Sequence, residues 1–387
     1  MKFIDLFCGV GGFHVALSNL GHECVFACDV DSDCRDVYKT NFGLEPAGNI
    51  KEVKETSLPD FDILCAGFPC QAFSHSGKQL GFEDETLGTL FFEICRILKT
   101  KRPKYFILEN VRNLYGHDKG KTWKIIYKSF IELGYLTYDK PILMNPLNLG
   151  IPQNRERVFI VGVRSDLGEL PEYPTFNKCN DSSLDTILQN DEEISKAIQN
   201  KVALSNDIIE MLECWEEFIQ HFKTKNTKLP SFPIWTECWG LSKDDGDPQW
   251  KKDIINKNIA FYDDNMEWLD EWLAKSRGKT KFQGAMTKFE WQCGHFEEND
   301  SIWSLLFQFR PSGIRVKRCT HSPALVAMAQ IVNIGKQKRK LTPRECARLQ
   351  SFPENFKIHD NMNKAYKQFG NSVNVQVVQH IAEFFIL

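Results

Sequence analysis

The sequence predicts an α/β protein: a mostly parallel sheet with helices on both faces, interrupted by a second, smaller domain. Over the first 165 residues, short apolar runs alternate with amphipathic stretches at helical spacing, the pattern of a parallel sheet covered on both sides. The alternation stops after Arg164, and eight of the nine tryptophans, all but Trp123, fall between positions 215 and 303. A regular pattern resumes at Leu341.

Residues 2–7 form an apolar run with one Asp, followed by Gly9-Val10-Gly11-Gly12 and an apolar stripe at Phe13, Ala16, Leu17 and Leu20. That reads as strand, glycine-rich turn and helix. Residues 23–28 are a second strand, ending at Asp29 and Asp31. Residues 60–66 are a third, 87–98 a helix, and 104–108 a strand ending at Glu109. Residues 121–133 are an amphipathic helix, and 136–143 and 158–163 are late strands. The polar stretch 165–200 suits a boundary loop, and 205–222 and 264–275 suit helices. In the tail, Thr342 is placed as an N-cap with Pro343 at the first helical position, and 375–386 is an apolar helix. The expected division is 1–165, an inserted 166–337, and a closing segment 338–387.

The chain has 387 residues, 42% hydrophobic and 26% charged, which is globular composition with ample chain for a sizeable core. No apolar run reaches the roughly 18 residues of a membrane span, and Asp5 interrupts any signal-like start, so a cytoplasmic location is expected. Thirteen cysteines are an odd count without any Cys-x-x-Cys pair, which suits reduced thiols and offers no metal framework. The net charge of −3 excludes polyanion binding by the whole surface but not by a local cleft. Residues 310–344 carry nine Lys/Arg and no Asp or Glu, which fits a nucleic-acid contact or a solvated basic loop.

A glycine-rich turn between strand and helix brings backbone amides to the carboxyl edge of the sheet, where open α/β sheets bind ligands. Asp29, about 20 residues on, stands where a carboxylate can hold ribose hydroxyls. The glycines are not the full dinucleotide fingerprint, so a nucleoside cofactor without pyrophosphate suits them better. Cys70, in Gly67-Phe68-Pro69-Cys70-Gln71, follows the third strand directly and is stiffened by Pro69, making it a nucleophile candidate at that edge. Glu109 ends the next core strand, and Arg155 and Arg157 precede a late one. Spacing alone leaves open whether these four converge on one pocket or serve separately as a buried thiol and loop-holding ion pairs.

In these residues the chain resembles the cytosine-5 DNA methyltransferases. The run Phe3-Ile4-Asp5-Leu6-Phe7-Cys8-Gly9-Val10-Gly11-Gly12 is similar to the family's cofactor motif, and Gly67 through Ser74 to its nucleophile loop. Glu109-Asn110-Val111 and Gln153-Asn154-Arg155-Glu156-Arg157 match two further motifs. The runs 341–350 and 368–373 resemble the last two. Together they cover about 1–165 and 338–387.

The resemblance implies a Rossmann-like, S-adenosylmethionine-dependent methyltransferase fold, with a target-recognition domain inserted at 166–337 and a last segment returning to the catalytic domain. It implies methyl transfer to carbon-5 of a flipped cytosine in duplex DNA through a Cys70 adduct. Cys70, Glu109, Arg155 and Arg157 would be catalytic. Asp5, Phe7, Gly9, Gly11, Asp29, Val30, Asn49, Ile50, Pro69, Leu90, Asn371 and Val373 would hold the cofactor. Gln71, Ser74 and Ser76 of the loop would meet DNA, as would Arg315, Lys317 and Arg318 of the insert. Two positions depart from the pattern: Asp29 where Glu is usual, and Asn49 where Asp is frequent. A monomer acting on a short DNA site is expected, with a restriction endonuclease as a possible companion. A transfer-RNA methyltransferase shares the catalytic motifs, but the long insert favours duplex DNA. A catalytically silent DNA binder is opposed by the intact Cys70, Glu109, Arg155 and Arg157. The tryptophans read mainly as core of a small domain.

Overall fold

The computed structural model describes residues 1–69, 88–176, 179, 182–240, 248–327 and 330–386, with side chains from residue 90 in the helix that starts at Gly88. The expected site residues Cys70, Gln71, Ser74 and Ser76 lie outside the described residues.

The chain forms two compact units. The first comprises Met1–Ser183, Pro323–Ala329 and Pro343–Leu387. Its elements begin β1 (Lys2–Leu6), α1 (Gly12–Asn19), β2 (Glu23–Cys28), α2 (Ser32–Phe42), β3 (Ile63–Gly67), α3 (Gly88–Lys101) and β4 (Tyr105–Val111). They continue with α4 (Asn113–Gly116), α5 (Lys121–Glu132), β5 (Tyr135–Thr137), β6 (Ile142–Met144), β7 (Gln153–Asn154) and β8 (Arg157–Arg164). The sheet order is β2-β1-β3-β4-β8-β5, with β6 also on β8. The pairings β1–β2, β1–β3 and β3–β4 are parallel, and β8 is antiparallel to β4, β5 and β6. Because the chain leaves β1 towards β2 and then crosses to β3 on its other side, a cleft opens at the carboxyl ends of β1 and β3.

The central strands are continuous apolar runs (Ile63, Leu64, Cys65 and Ala66 are each 0% exposed), as a strand covered on both faces requires. The expected strand over 136–143 is instead two short strands. Pro141 stands at the break, and without a backbone N–H it cannot continue a ladder.

The second unit comprises Leu184–Ser322 and Gln330–Thr342. Its helices are α6 (Lys196–Val202), α7 (Asn206–Thr224), α8 (Gln249–Asp263) and α9 (Met266–Arg277). Its strands are β9 (Ile234–Trp235), β10 (Lys288–Trp291), β11 (Leu306–Arg310) and β12 (Gly313–Lys317), then, past β13 (Ser322–Pro323), β14 (Asn333–Ile334) and β15 (Arg339–Lys340). They pair in the order β15-β14-β11-β12-β10-β9. The core is aromatic: Trp215 stacks on Phe289 at 4.6 Å between centroids, beside Trp272. The indole N–H of Trp215 donates to the carbonyl of Met286 and that of Trp272 to Cys214, so these two rings keep their polar ends satisfied. Trp250 differs, lying 62% exposed on α8.

The boundaries depart from 165/166 and 337/338. Residues beyond β8 stay with the first unit because Tyr138 donates to the carbonyl of Pro171, Tyr173 to that of Pro141, and Phe176 packs on His380. Residues 338–342 stay with the second because β15 pairs with β14 and Leu341 N–H donates to the carbonyl of Val332. The tail adds α10 (Pro343–Leu349), α11 (Met362–Asn371) and α12 (Val375–Ile386) to the first unit, with α12 packed on α1.

Candidate active site

The turn after β1 holds Phe7, Gly9 and Gly11 at φ 54°, 53° and 91°. A Cβ at Gly11 would lie 2.3 Å from the Phe42 ring, and one at Gly12 would lie 2.6 Å from Val373 Cγ2. Glycine at these two positions lets α2 and the 371–373 segment close on the turn.

Asp29 ties the first two strand ends together. One carboxylate oxygen accepts the Gly9 N–H at 2.8 Å and the other accepts the Asp31 N–H at 2.8 Å. A carboxylate offers about four acceptor positions, so capacity remains for a ligand hydroxyl. Burial raises the Asp29 carboxyl above its ordinary value. The next side chain, Val30, stands 77% exposed. Arg35 from α2 donates to the carbonyls of both Asp29 (2.9 Å) and Val30 (3.0 Å), a role that sequence reading missed. No spacing signal marks an Arg aimed at main-chain carbonyls.

Asp5 is fully buried beneath the turn, so it does not line the cleft as expected. Burial and the nearby Asp29 push its carboxyl well above the usual range. The Asn49 amide oxygen accepts the Lys51 N–H at 3.1 Å, capping a short turn in which Ile50 is buried. Arg96 of α3 donates to the carbonyls of Ile50 and Val53 and holds that turn in place. Leu90 packs on the main core, Asn371 is exposed and Val373 is 7% exposed.

β3 ends at Gly67, opposite Glu109 on β4. A Cβ built at Gly67 would lie 3.9 Å from Glu109 Oε2 and 3.7 Å from Val373, so glutamate, turn and tail meet at one sheet edge. Beyond Gly67, Phe68 is buried, and Asn110 Nδ2 donates to its carbonyl at 2.9 Å. Asn110 thus fixes the chain at the exposed Pro69, one residue before Cys70. It sits inside a motif legible in the sequence, but its role was not.

Glu109 is 9% exposed, and Arg157 forms an ion pair with it, Nε lying 3.1 Å from Oε1. Burial raises the Glu109 carboxyl, opposed by the charges of Arg157 and Arg155. Arg155, expected with Arg157 among the catalytic residues, is 3% exposed and turns to main-chain carbonyls. It donates to the carbonyls of Leu325 (2.8 Å), Gly370 (3.1 Å) and Ser372 (2.9 Å). Arg155 therefore positions the backbone that carries Val373.

In the second unit, Arg318 makes a two-pronged contact with Asp300 at 2.7 and 3.1 Å and a third bond to the carbonyl of His295. Asp300 is 4% exposed in its side chain, so Arg318 is committed to an internal pair rather than free for phosphate. Arg315 pairs with Glu290, and Lys317 has no ion-pair partner among the described residues.

The model of the C-5 cytosine-specific DNA methylases matches residues 1–386. The type II methyltransferase M.HhaI of Haemophilus parahaemolyticus is 34% identical over 382 residues, covering 99% of this chain and 93% of that protein. The type II methyltransferase M.HpaII of Haemophilus parainfluenzae is 36% identical over 382 residues, covering 97% and 87%. Among solved structures, an Entamoeba histolytica methyltransferase superposes with a TM-score of 0.58 at 17% identity, covering 99% of this chain and 97% of its own, a likeness of fold. On these grounds the chain belongs to the C-5 cytosine-specific DNA methylases.

Proposed function

We propose that this protein methylates carbon-5 of a flipped-out cytosine in duplex DNA, using S-adenosylmethionine and a covalent Cys70 adduct. The observation that carries it is the buried Glu109, paired with Arg157 and set beside Gly67 and Val373 at the edge that bears the glycine turn.

S-adenosylmethionine, when bound, supplies the electrophilic methyl that carbon-5 takes. The residues fit it: Gly9, with open space where a side chain would stand, leaves the turn open to its methionine part, Gly11 lets α2 pack behind that turn, Asp29 has acceptor capacity for ribose, and Val30 offers an apolar edge to adenine. Phe7, Asn49, Ile50, Pro69, Leu90, Asn371 and Val373 complete the lining.

The Cys70 thiolate adds to carbon-6 and pushes electron density to carbon-5. Glu109 holds a proton at ring N3, and Arg157 orients that carboxyl. After methylation, loss of the carbon-5 proton expels the thiolate and restores the ring. A stacked base cannot be reached in this way, so the cytosine must leave the helix. Gln71, Ser74 and Ser76 of the loop, with Arg315 and Lys317 of the second unit, would hold the DNA. The kinship with type II methyltransferases supports a companion endonuclease of the same site.

The test is incubation with S-adenosylmethionine and unmethylated duplex DNA, followed by base-resolution mapping of 5-methylcytosine. Methylation at one short motif, abolished in Cys70→Ser, is expected, and 5-fluorocytosine in that motif should trap the wild type covalently. Absence of 5-methylcytosine with cofactor binding intact overturns the proposal.

A further inference from the structure

The sheet of the second unit has two unlike faces. Phe289 and Trp291 of β10, Phe307 of β11, and Ile314 and Val316 of β12 point into the aromatic core. Strand alternation sends the intervening residues to the other face. Those are Glu290 on β10, Gln308 and Arg310 on β11, and Arg315 and Lys317 on β12. The register makes a row of three: Gln308 lies opposite Arg315, and Arg315 opposite Glu290.

Arg315 is the middle of that row and is held from one side only. Its Nε donates to Glu290 Oε2 at 2.8 Å, and Gln292 holds the other Glu290 oxygen. Among the described residues, Arg315 Nη1 and Nη2 have no acceptor. The guanidinium is therefore oriented through Nε and presents two parallel donors at its end. Gln308 is fixed by donation to the carbonyl of Gln330, and Arg310 is held through Nε by the Gln330 side chain.

The face is also crowded with positive charge. Arg310 and Lys317 have no ion-pair partner among the described residues, and burial first, then the Arg315 charge, lowers both below their ordinary values against the opposing charge of Glu290. Glu290, already shared with Gln292, is the acid set among these three cations. A polyanion relieves that repulsion.

A phosphate needs charge and tolerates many approach angles. A guanidinium with two free donors matches a paired acceptor, which duplex DNA offers both in its phosphate oxygens and in O6 and N7 of guanine in the major groove; because Glu290 already offsets the charge of Arg315, the base edge is the better match. We propose that Arg315, braced by Glu290, reads a guanine of the methylation site, while Arg310 and Lys317 of the same face contact phosphates. The inference rests on the DNA-methylating activity proposed above.

The experiment first maps the wild-type methylated motif on genomic duplex DNA. It then measures kcat/KM on duplexes substituted one base pair at a time, for wild type, Arg315→Ala, Arg315→Lys, Glu290→Gln and Lys317→Ala. Thermal melting and S-adenosylmethionine binding check that each variant is folded. Wild type should discriminate against replacement of one particular guanine by about 5- to 150-fold. Arg315→Ala and Arg315→Lys should lose that discrimination at that guanine alone, and Glu290→Gln should weaken it. Lys317→Ala should lower activity evenly on all duplexes and flatten the salt dependence.

An even loss in both folded Arg315 variants would make Arg315 a phosphate contact and overturn the proposal, as would unchanged discrimination. If Arg315→Ala fails to fold, Arg315→Lys, which keeps the charge and the aliphatic stem, decides the matter. Failure of the wild type to methylate any duplex would instead refute the proposed activity, a distinct outcome.

Discussion

Arg157 on β8 forms an ion pair with Glu109 on β4, its Nε 3.1 Å from Oε1, and the two residues sit diagonally across an antiparallel pair in which Val111 faces Arg157. One oxygen of a nearly buried carboxyl is thereby held, and the other is left towards Gly67. The strand register, not a loop, sets the direction of the acid.

The Glu109 carboxyl is raised by burial and lowered by its two arginines, with burial dominant. A raised pKa keeps the proton on Glu109 to higher pH, so a reaction that needs it should lose rate as pH climbs through that value. Glu109→Gln should remove this alkaline limb and lower kcat by about 10²–10⁴-fold. In Arg157→Ala the opposing charge is gone, so the limb should move to higher pH while kcat falls. The check is kcat as a function of pH for the three proteins. An unmoved limb in Arg157→Ala would remove Glu109 as its origin.

Arg155 satisfies three main-chain carbonyls from inside the first unit. Arg155→Ala leaves them without that donor, and the expected cost is about 3 kcal/mol of unfolding free energy. Because Ser372 precedes Val373, the same variant should weaken S-adenosylmethionine binding. Denaturant titration and calorimetry read the two effects. A stability unchanged from wild type would contradict the positioning role.

Arg35 fastens the carbonyls of Asp29 and Val30, the loop assigned to ribose and adenine. Arg35→Ala should raise the Kd for S-adenosylmethionine by about 5-fold, the equivalent of roughly one hydrogen bond. Its kcat at saturating cofactor should match wild type. A loss confined to kcat would count against the role.

Arg318 covers the nearly buried Asp300. Arg318→Ala should cost about 3 kcal/mol, since it leaves a buried carboxylate without its partner. Lys317→Ala, at a cation lacking an ion-pair partner among the described residues, should change stability little. Paired denaturation curves test the contrast, and equal effects would refute the internal assignment of Arg318.

Much of this was legible in the sequence, because much of it is local. Apolar runs ending in glycine or acid marked β1 to β4, and the glycine turn marked the sheet edge at which the cofactor is proposed to bind, since period and turn chemistry are written in neighbouring residues. The density of tryptophan marked a second core. What a guanidinium does, by contrast, depends on what the fold brings to its tip. Arg155 and Arg157 are two residues apart, yet strand geometry sends one to the Leu325, Gly370 and Ser372 carbonyls and the other to Glu109.

By itself, then, the sequence determined the α/β class, the order of the sheet-forming segments, the family resemblance and the identity of the acid at the end of β4. Tertiary structure alone decided that residues 166–183 stay with the first unit, that Asp5 is sealed beneath the turn, that Arg318 pairs inward, and that Arg315 is braced with its fork left free. The physical reason is range. Backbone propensity and apolar period act over a few residues, whereas burial, charge pairing and carbonyl satisfaction join groups as far apart as Arg155 and Ser372.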